Sequence, residues 1–146
     1  MGEIRLGLKD LRFISLFEQS TGVRVKDCIE GDDKVMFLVG AGFASMAIGR
    51  GGSNVEKVRN TLNKKIEVIE DSQDTVQFLK NLFHNYRVTR VELAEKASTD
   101  GSKKRIGNVW VDPRDKGRAI GKAGSNVDLL RKLAARNHEV DTIIVK

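Results

Sequence analysis

The sequence predicts an α+β fold built from two tandem units, each in the order helix-strand-strand-helix-helix-strand, with a three-stranded sheet covered by helices. Three observations predict it. Ala47-Ile48-Gly49-Arg50-Gly51-Gly52-Ser53-Asn54-Val55 returns as Ala119-Ile120-Gly121-Lys122-Ala123-Gly124-Ser125-Asn126-Val127, and internal self-similarity marks a repeated structural unit. The two copies align without a gap at an offset of 72 residues, from Leu38-Val39 to Val55 and from Trp110-Val111 to Val127. Around each copy the apolar spacing switches between the helical and the alternating period. The units expected are residues 1-71 and 74-146.

Leu8, Leu11, Ile14 and Phe17 recur every three residues and predict an amphipathic helix that Thr21-Gly22 ends. Val23 to Ile29 alternates with one slip after Val25, Gly31-Asp32-Asp33 is turn chemistry, and Val35 to Val39 is continuously apolar. That pattern predicts an antiparallel hairpin whose second strand is central. Gly40-Ala41-Gly42 breaks the strand, and Phe43 to Ile48 reads as a short helix that Gly49 stops. Ser53-Asn54-Val55-Glu56 matches a capping box, which starts a helix through Val55, Val58 and Leu62. Lys65 to Ile69 closes the unit as a strand.

Asp74 caps the next helix, whose apolar face is Val76, Leu79 and Phe83. Arg87 to Ala97 and Ile106 to Val111 read as strands, joined by a long basic turn from Ser98 to Lys104 that holds the extra length of the second copy. Asp112-Pro113 reads as an N-cap followed by proline at the first helical position, where a missing amide costs nothing. Ser125-x-x-Asp128 repeats the capping box with a shorter acid, Leu129, Leu130 and Leu133 continue the helix, and Val140 to Val145 closes the sheet. Trp110 aligns with Leu38 and is expected in the core.

The net charge of +6 over 146 residues calls for an acidic partner. Residues 1 to 73 carry eleven basic and eleven acidic residues, whereas residues 74 to 146 carry fifteen basic against nine acidic, so the excess lies in the second unit. The one cysteine, Cys28, has no partner for an intrachain disulfide and no zinc spacing, which fits a reducing cytoplasmic setting and a buried role. The N-terminus lacks an export signal, and no apolar run approaches the roughly 18 residues a membrane span needs. His84 and His138 have no second ligand at a sensible spacing and are expected at the surface or at helix ends. No paired carboxylate, metal cluster or catalytic triad stands out.

A Gly-x-x-Gly turn with a cation inside it, opening onto a helix, suits a phosphate backbone. Glycine permits close approach and positive φ, helix-start amides favour anions, and Arg50 or Lys122 adds charge. A plain helix-helix connection would need neither a cation in both copies nor the same Ser-Asn after both. At these residues the sequence resembles the KH family, whose mark is an Ile-Gly-x-x-Gly loop between two helices. The element order resembles the type II form. Two such modules in tandem, with Asp71-Ser72-Gln73 as almost the whole linker, resemble the KH pair of the NusA family of transcription factors in its archaeal form.

The resemblance implies a protein that clamps single-stranded, nascent RNA with two GxxG loops and modulates transcription elongation, termination or antitermination. The RNA-binding residues it implies are Ile48, Gly49, Arg50, Gly51, Gly52, Ser53 and Asn54, with Ile120, Gly121, Lys122, Ala123, Gly124, Ser125 and Asn126. About four nucleotides would lie on each loop, their bases turned into a groove. Its floor is expected from Ile48, Val55 and Ile66 to Ile69, and from Ile120, Val127 and Thr142 to Val145. RNA polymerase is a further partner; catalysis, cofactor, metal and membrane are not expected, and the chain is expected to be a cytoplasmic monomer. Lys103-Lys104-Arg105 is either a solvated hairpin tip or a phosphate contact.

Two rival readings differ in class. Val35 to Ser45 looks like a strand entering a dinucleotide-binding glycine loop, but its third glycine is Ser45, and the next strand, whose end should carry an acidic residue about 20 positions on, starts only near Lys65. A KH module of a ribosome-associated or RNA-processing protein would bind structured RNA instead, and duplex preference in a titration would mark it.

Overall fold

Six α-helices and two three-stranded sheets are spread along residues 7–146, the part of the chain that this computed structural model describes; residues 1–6 of the first expected unit lie outside it. The fold is α+β, and the described chain divides into two compact units that meet in sequence between Ser72 and Gln73. In the first, α1 (Leu8–Thr21) leads to β1 (Val25–Glu30) and β2 (Lys34–Val39). Then follow α2 (Ala44–Ile48), a 3₁₀ turn (Arg50–Gly52), α3 (Ser53–Leu62) and β3 (Lys65–Glu70). The second contains α4 (Thr75–Leu82), β4 (Val88–Ala97), β5 (Lys103–Val111), α5 (Pro113–Ile120), a 3₁₀ turn (Lys122–Gly124), α6 (Ser125–His138) and β6 (Thr142–Val145). Both units therefore have the expected element order.

In each sheet the second strand is central: it pairs antiparallel with the strand before it and parallel with the strand that closes the unit. The slip after Val25 is a bulge, because Val25 pairs with Val39 while Asp27 pairs with Leu38. The second hairpin has the same irregularity between Val88 and Arg90. On one side of β2, Val35, Phe37 and Val39 form a core with Phe13, Phe17, Ala47 and Val58, and the Phe17 and Phe37 rings stack with centroids 4.3 Å apart.

The exposed and buried faces of α1 differ from the spacing-of-three stripe. Leu8 is 72% exposed and Leu11 50% exposed, while Phe13, Phe17 and Thr21 are buried. A step of three falls short of a full 3.6-residue turn, so Leu8 and Phe17 end on nearly opposite sides; the buried positions follow a step of four. Gly22 ends the helix in the left-handed conformation, φ 72°, its amide donating to the Glu18 carbonyl.

Three further expectations are corrected in the second unit and at the helix starts. The turn after β4 is short: the Ser98 amide donates to the Ser102 carbonyl, and Asp100 accepts from the Ser102 amide and hydroxyl. With the reversal complete by Ser102, Lys103, Lys104 and Arg105 continue the ladder opposite Ala97, Lys96 and Glu95. The extra length of this copy thus lies mostly in longer hairpin strands, of 10 and 9 residues against 6 and 6, and only secondarily in the turn. Trp110 is only partly buried, unlike Leu38. The even positions of β5 face away from the helices, and Trp110 is one of them.

The third correction concerns the capping boxes. Ser53 and Ser125 already have helical angles, and the N-cap positions belong to Gly52 and Gly124 in the left-handed region, without any side-chain cap. A capping serine needs an extended backbone, which a 3₁₀ turn running straight into a helix does not supply. Glu56 pairs instead with Arg59, whose guanidinium holds its carboxyl below the ordinary range, and Asp128 pairs with Arg131. By contrast, Asp74 caps α4 through the Val76 amide, and Asp112 caps α5 through the Arg114 amide with Pro113 following.

Candidate nucleic-acid interface

Each repeated loop is a single turn between two helices, and the two copies share one backbone. Gly49 and Gly121 have φ 80° with ψ 172° and 167°, a region essentially closed to other residues. The next residue, Arg50 or Lys122, starts a 3₁₀ turn; Gly51 (φ 62°, ψ 21°) and Ala123 (φ 55°, ψ 28°) are left-handed, as are Gly52 (77°, 16°) and Gly124 (79°, 11°). Position two inside the glycine pair is small because it must adopt positive φ. Ala123 bears a strain of about 1–2 kcal/mol there that Gly51 avoids.

The Gly52 and Gly124 amides are spent inside the turn, on Gly49 and Gly121 carbonyls 3.1 Å away, and the Ser53 and Ser125 amides on the Arg50 and Lys122 carbonyls. Two of the amides at each helix start are therefore already used and are not offered to an anion. What each turn presents is Arg50 with Gly51, or Lys122 with Ala123, all four exposed. Among the described residues neither Arg50 nor Lys122 takes part in an ion pair.

The repeated asparagine has a structural role. The Asn126 side-chain amide donates to the Ala119 carbonyl (2.7 Å) and to the Tyr86 hydroxyl (3.1 Å), and Asn126 is buried. Asn54 donates in the same way to the Met46 carbonyl, 3.1 Å away. Each amide thus spans its turn and fastens the following helix to the preceding one. A Cβ built on Gly49 would meet the Asn54 side chain at 2.8 Å, and one on Gly121 the Asn126 backbone nitrogen at 2.7 Å. The first glycine and the Ser-Asn pair fit as one packed unit, which explains why they repeat together.

Around the start of α5 lies an ion cluster that sequence reasoning missed. Buried Asp115 accepts from the Arg87 amide (2.8 Å) and guanidinium (2.9 and 3.0 Å) and from Arg118 (2.9 Å), fixing α5 to the start of β4. Arg114 pairs with Asp112 in the same way. Hydrogen bonds from Arg114 lower the Asp112 carboxyl to about 2, and those from Arg87, with Arg118 behind them, push Asp115 lower still. The i,i+3 spacing of Asp115 and Arg118 was a usable signal; the long-range partner Arg87 was not. His138, at the end of α6, stacks on Phe78 at 4.0 Å and meets the Thr75 hydroxyl through Nδ1, and His84 is exposed.

The expected groove floor divides into surface and core. Ile48 is 40% exposed and Ile144 42%, whereas Ile69, Val127 and Ile143 are buried and belong to the interior. Val55 and Ile66 are half-buried against the first core, and Ile120 and Val145 are half-buried. Among the described residues no helix is long and apolar enough to cross a membrane, and no group of three or more His, Cys, Asp or Glu is placed to hold a metal ion.

Comparison with known proteins places these features in a family. Residues 75–145 match the model of the NusA-like second KH domain, and residues 13–93 match a KH domain. The chain is 37% identical over 142 residues to the probable transcription termination protein NusA of Halococcus morrhuae, covering 96% of this chain and 98% of that one. It is 38% identical over 147 residues to the protein so named from Methanococcus vannielii, covering 97% and 79%. The crystal structure of APE1850 superposes with a TM-score of 0.74 at 34% identity, covering 97% of this chain and all of that one. With both glycine turns set between paired helices on like sheets, the chain belongs to the NusA-like family of tandem type II KH-domain proteins.

Proposed function

We propose that this protein clamps single-stranded, nascent RNA over its two GxxG loops and thereby modulates transcription elongation or termination, without a catalytic step. The observation that carries this reading is the closely matching backbone of the two turns, each presenting one exposed cation beside a small left-handed residue. A phosphate can approach such a turn without meeting a side chain at Gly51 or anything larger than the methyl of Ala123. The relatives named as probable transcription termination proteins support the transcriptional role. In this reading Ile48, Gly49 to Ser53, Ile120 and Gly121 to Ser125 line the RNA path, while Asn54 and Asn126 hold the turns in shape. The protein acts as a monomer in the cytoplasm, and RNA polymerase is the partner to which the bound transcript tethers it.

The test is anisotropy titration of a fluorescent unstructured RNA. Lys122→Asp with Ala123→Asp reverses one charge contact, worth about 1.5–3 kcal/mol, and should weaken binding roughly 10- to 100-fold. Aspartate tolerates positive φ, so the turn is kept. Arg50→Asp with Gly51→Asp should weaken binding less, because the second unit holds the charge excess and releases more counterions. Equal affinities for both variants and the parent chain would remove the clamp, and preference for duplex would favour the structured-RNA alternative.

A further inference from the structure

We propose that the helix-free face of the second sheet is a second contact surface for single-stranded RNA, separate from the GxxG loop of the same unit. The assignment starts from the period of β5. Gly107, Val109 and Val111 are buried, and a Cβ on Gly107 would touch Leu79 of α4, so these positions face the helices. The alternate positions, Lys104 to Trp110, face the other way. None of the helices of this unit, α4 to α6, fills that side with apolar cover: Lys104 is exposed and Trp110 only partly buried.

The groups on this face are a mixture of aromatic and basic. Arg90 pairs directly with Trp110 across the hairpin. Lys146 is held beside β5 by its amide to Val109 and its carbonyl to the Val111 amide. The Arg90 guanidinium lies 4.8 Å from the Trp110 ring centroid and the Lys146 ammonium 5.0 Å from it. Further along the same face Lys96 stands directly opposite Lys104. Like charges in that position destabilise a hairpin, and among the described residues neither lysine has an ion pair. Glu92, paired with Arg90, is the one acid among these positions. Four cations against one carboxylate call for an anionic occupant.

Single-stranded RNA fits that chemistry better than an acidic protein does. An indole bordered by cations offers a base a stacking surface that tolerates any sequence, with phosphates meeting the lysines. An acidic peptide would use the lysines and bring nothing that stacks on the indole. Ile144, 42% exposed on β6, adds apolar surface beside the indole row. The placement rests on the RNA-binding reading only for the choice of occupant. It also relocates the charge excess of the second unit. Arg87, Arg114 and Arg118 are tied to Asp112 and Asp115, so the cations that can meet phosphate include Lys96, Lys104 and Lys146 of the open face.

Trp110 is the chain's one tryptophan and reports on this face directly. The full chain would be titrated with unstructured RNAs of about 5 and about 20 nucleotides, sized to one loop and to a longer path. The longer RNA is expected to change Trp110 emission, and Lys96→Glu with Lys104→Glu to weaken its binding about tenfold, with binding of the short RNA unchanged. The four-aspartate variant of both loops (Arg50, Gly51, Lys122, Ala123) should keep the Trp110 response at higher RNA concentration. Unchanged emission at saturating long RNA, or a lysine variant that binds it as the parent does, overturns the surface while leaving the loop clamp standing. A response to polyglutamate and none to RNA overturns RNA as the occupant. Absence of any RNA binding by the parent chain removes both proposals.

Discussion

Replacing Gly121 by alanine is expected to destabilise the second unit by about 2–6 kcal/mol, the sum of two penalties that the geometry imposes separately. Its φ of 80° with ψ 167° lies where an L side chain is strained by about 1–3 kcal/mol. The added methyl would also sit 2.7 Å from the Asn126 backbone nitrogen and 2.9 Å from the Ser125 hydroxyl. Backbone cannot rotate away, so crowding adds about 1–3 kcal/mol. Gly124 is the control. It is left-handed as well, but the nearest atom to its added methyl is 3.8 Å away, so Gly124→Ala should lose only about 1–2 kcal/mol. Gly49→Ala should fall between them, since its closest contacts are the Asn54 side-chain atoms, which can turn. Urea unfolding followed by Trp110 emission reads the second unit, and circular dichroism reads the whole chain. A midpoint for Gly121→Ala no lower than for Gly124→Ala would refute the claim that glycine and asparagine form one packed turn.

Two other outcomes follow from the second unit. Asn126→Ala removes two hydrogen bonds from a buried amide and strands the Ala119 carbonyl, so urea titration should show a loss of about 1–3 kcal/mol; Tyr86→Phe should lose less, since the carbonyl bond remains. Acid should weaken the ion cluster in a defined window. Asp112 and Asp115 titrate below their ordinary value of 3.8 when folded, so their contribution is complete above that pH and is lost as pH falls toward about 2. Asp115→Asn should flatten the fall in Trp110-monitored stability between pH 4 and 2, and an unchanged slope would detach the cluster from stability.

The repeat made the architecture legible because glycine positions and strand periods are local properties. The positions that escaped are those whose meaning depends on what comes before or across. Ser53-x-x-Glu56 has the letters of a capping box, but the left-handed Gly52 ahead of it had already started the helix. Lys103 looked like turn because a charged run carries no strand period, and only the tight Ser98–Ser102 closure puts it in the ladder. Trp110 was assigned to the core by alignment with Leu38, yet β2 is buried along Val35 to Val39 while β5 is covered on alternate residues only. The Asn54 and Asn126 ties were visible as a repeat but not as a mechanism, since their acceptors lie a turn back in the preceding helix.

In both sheets the turn lies in the connection between two strands that run parallel, β2 to β3 and β5 to β6. A parallel pair can close only after its crossover has formed, so here the loop proposed to meet RNA is also a structural hinge-pin of the fold. Lengthening it by one residue would displace the asparagine from its carbonyl and with it the start of α3 or α6. Sequence change in such a loop is confined to its two middle positions, 50 and 51 or 122 and 123. Divergence in what these proteins recognise therefore has to be written on the flanking strands and on the sheet surface, where substitution leaves the chain path intact.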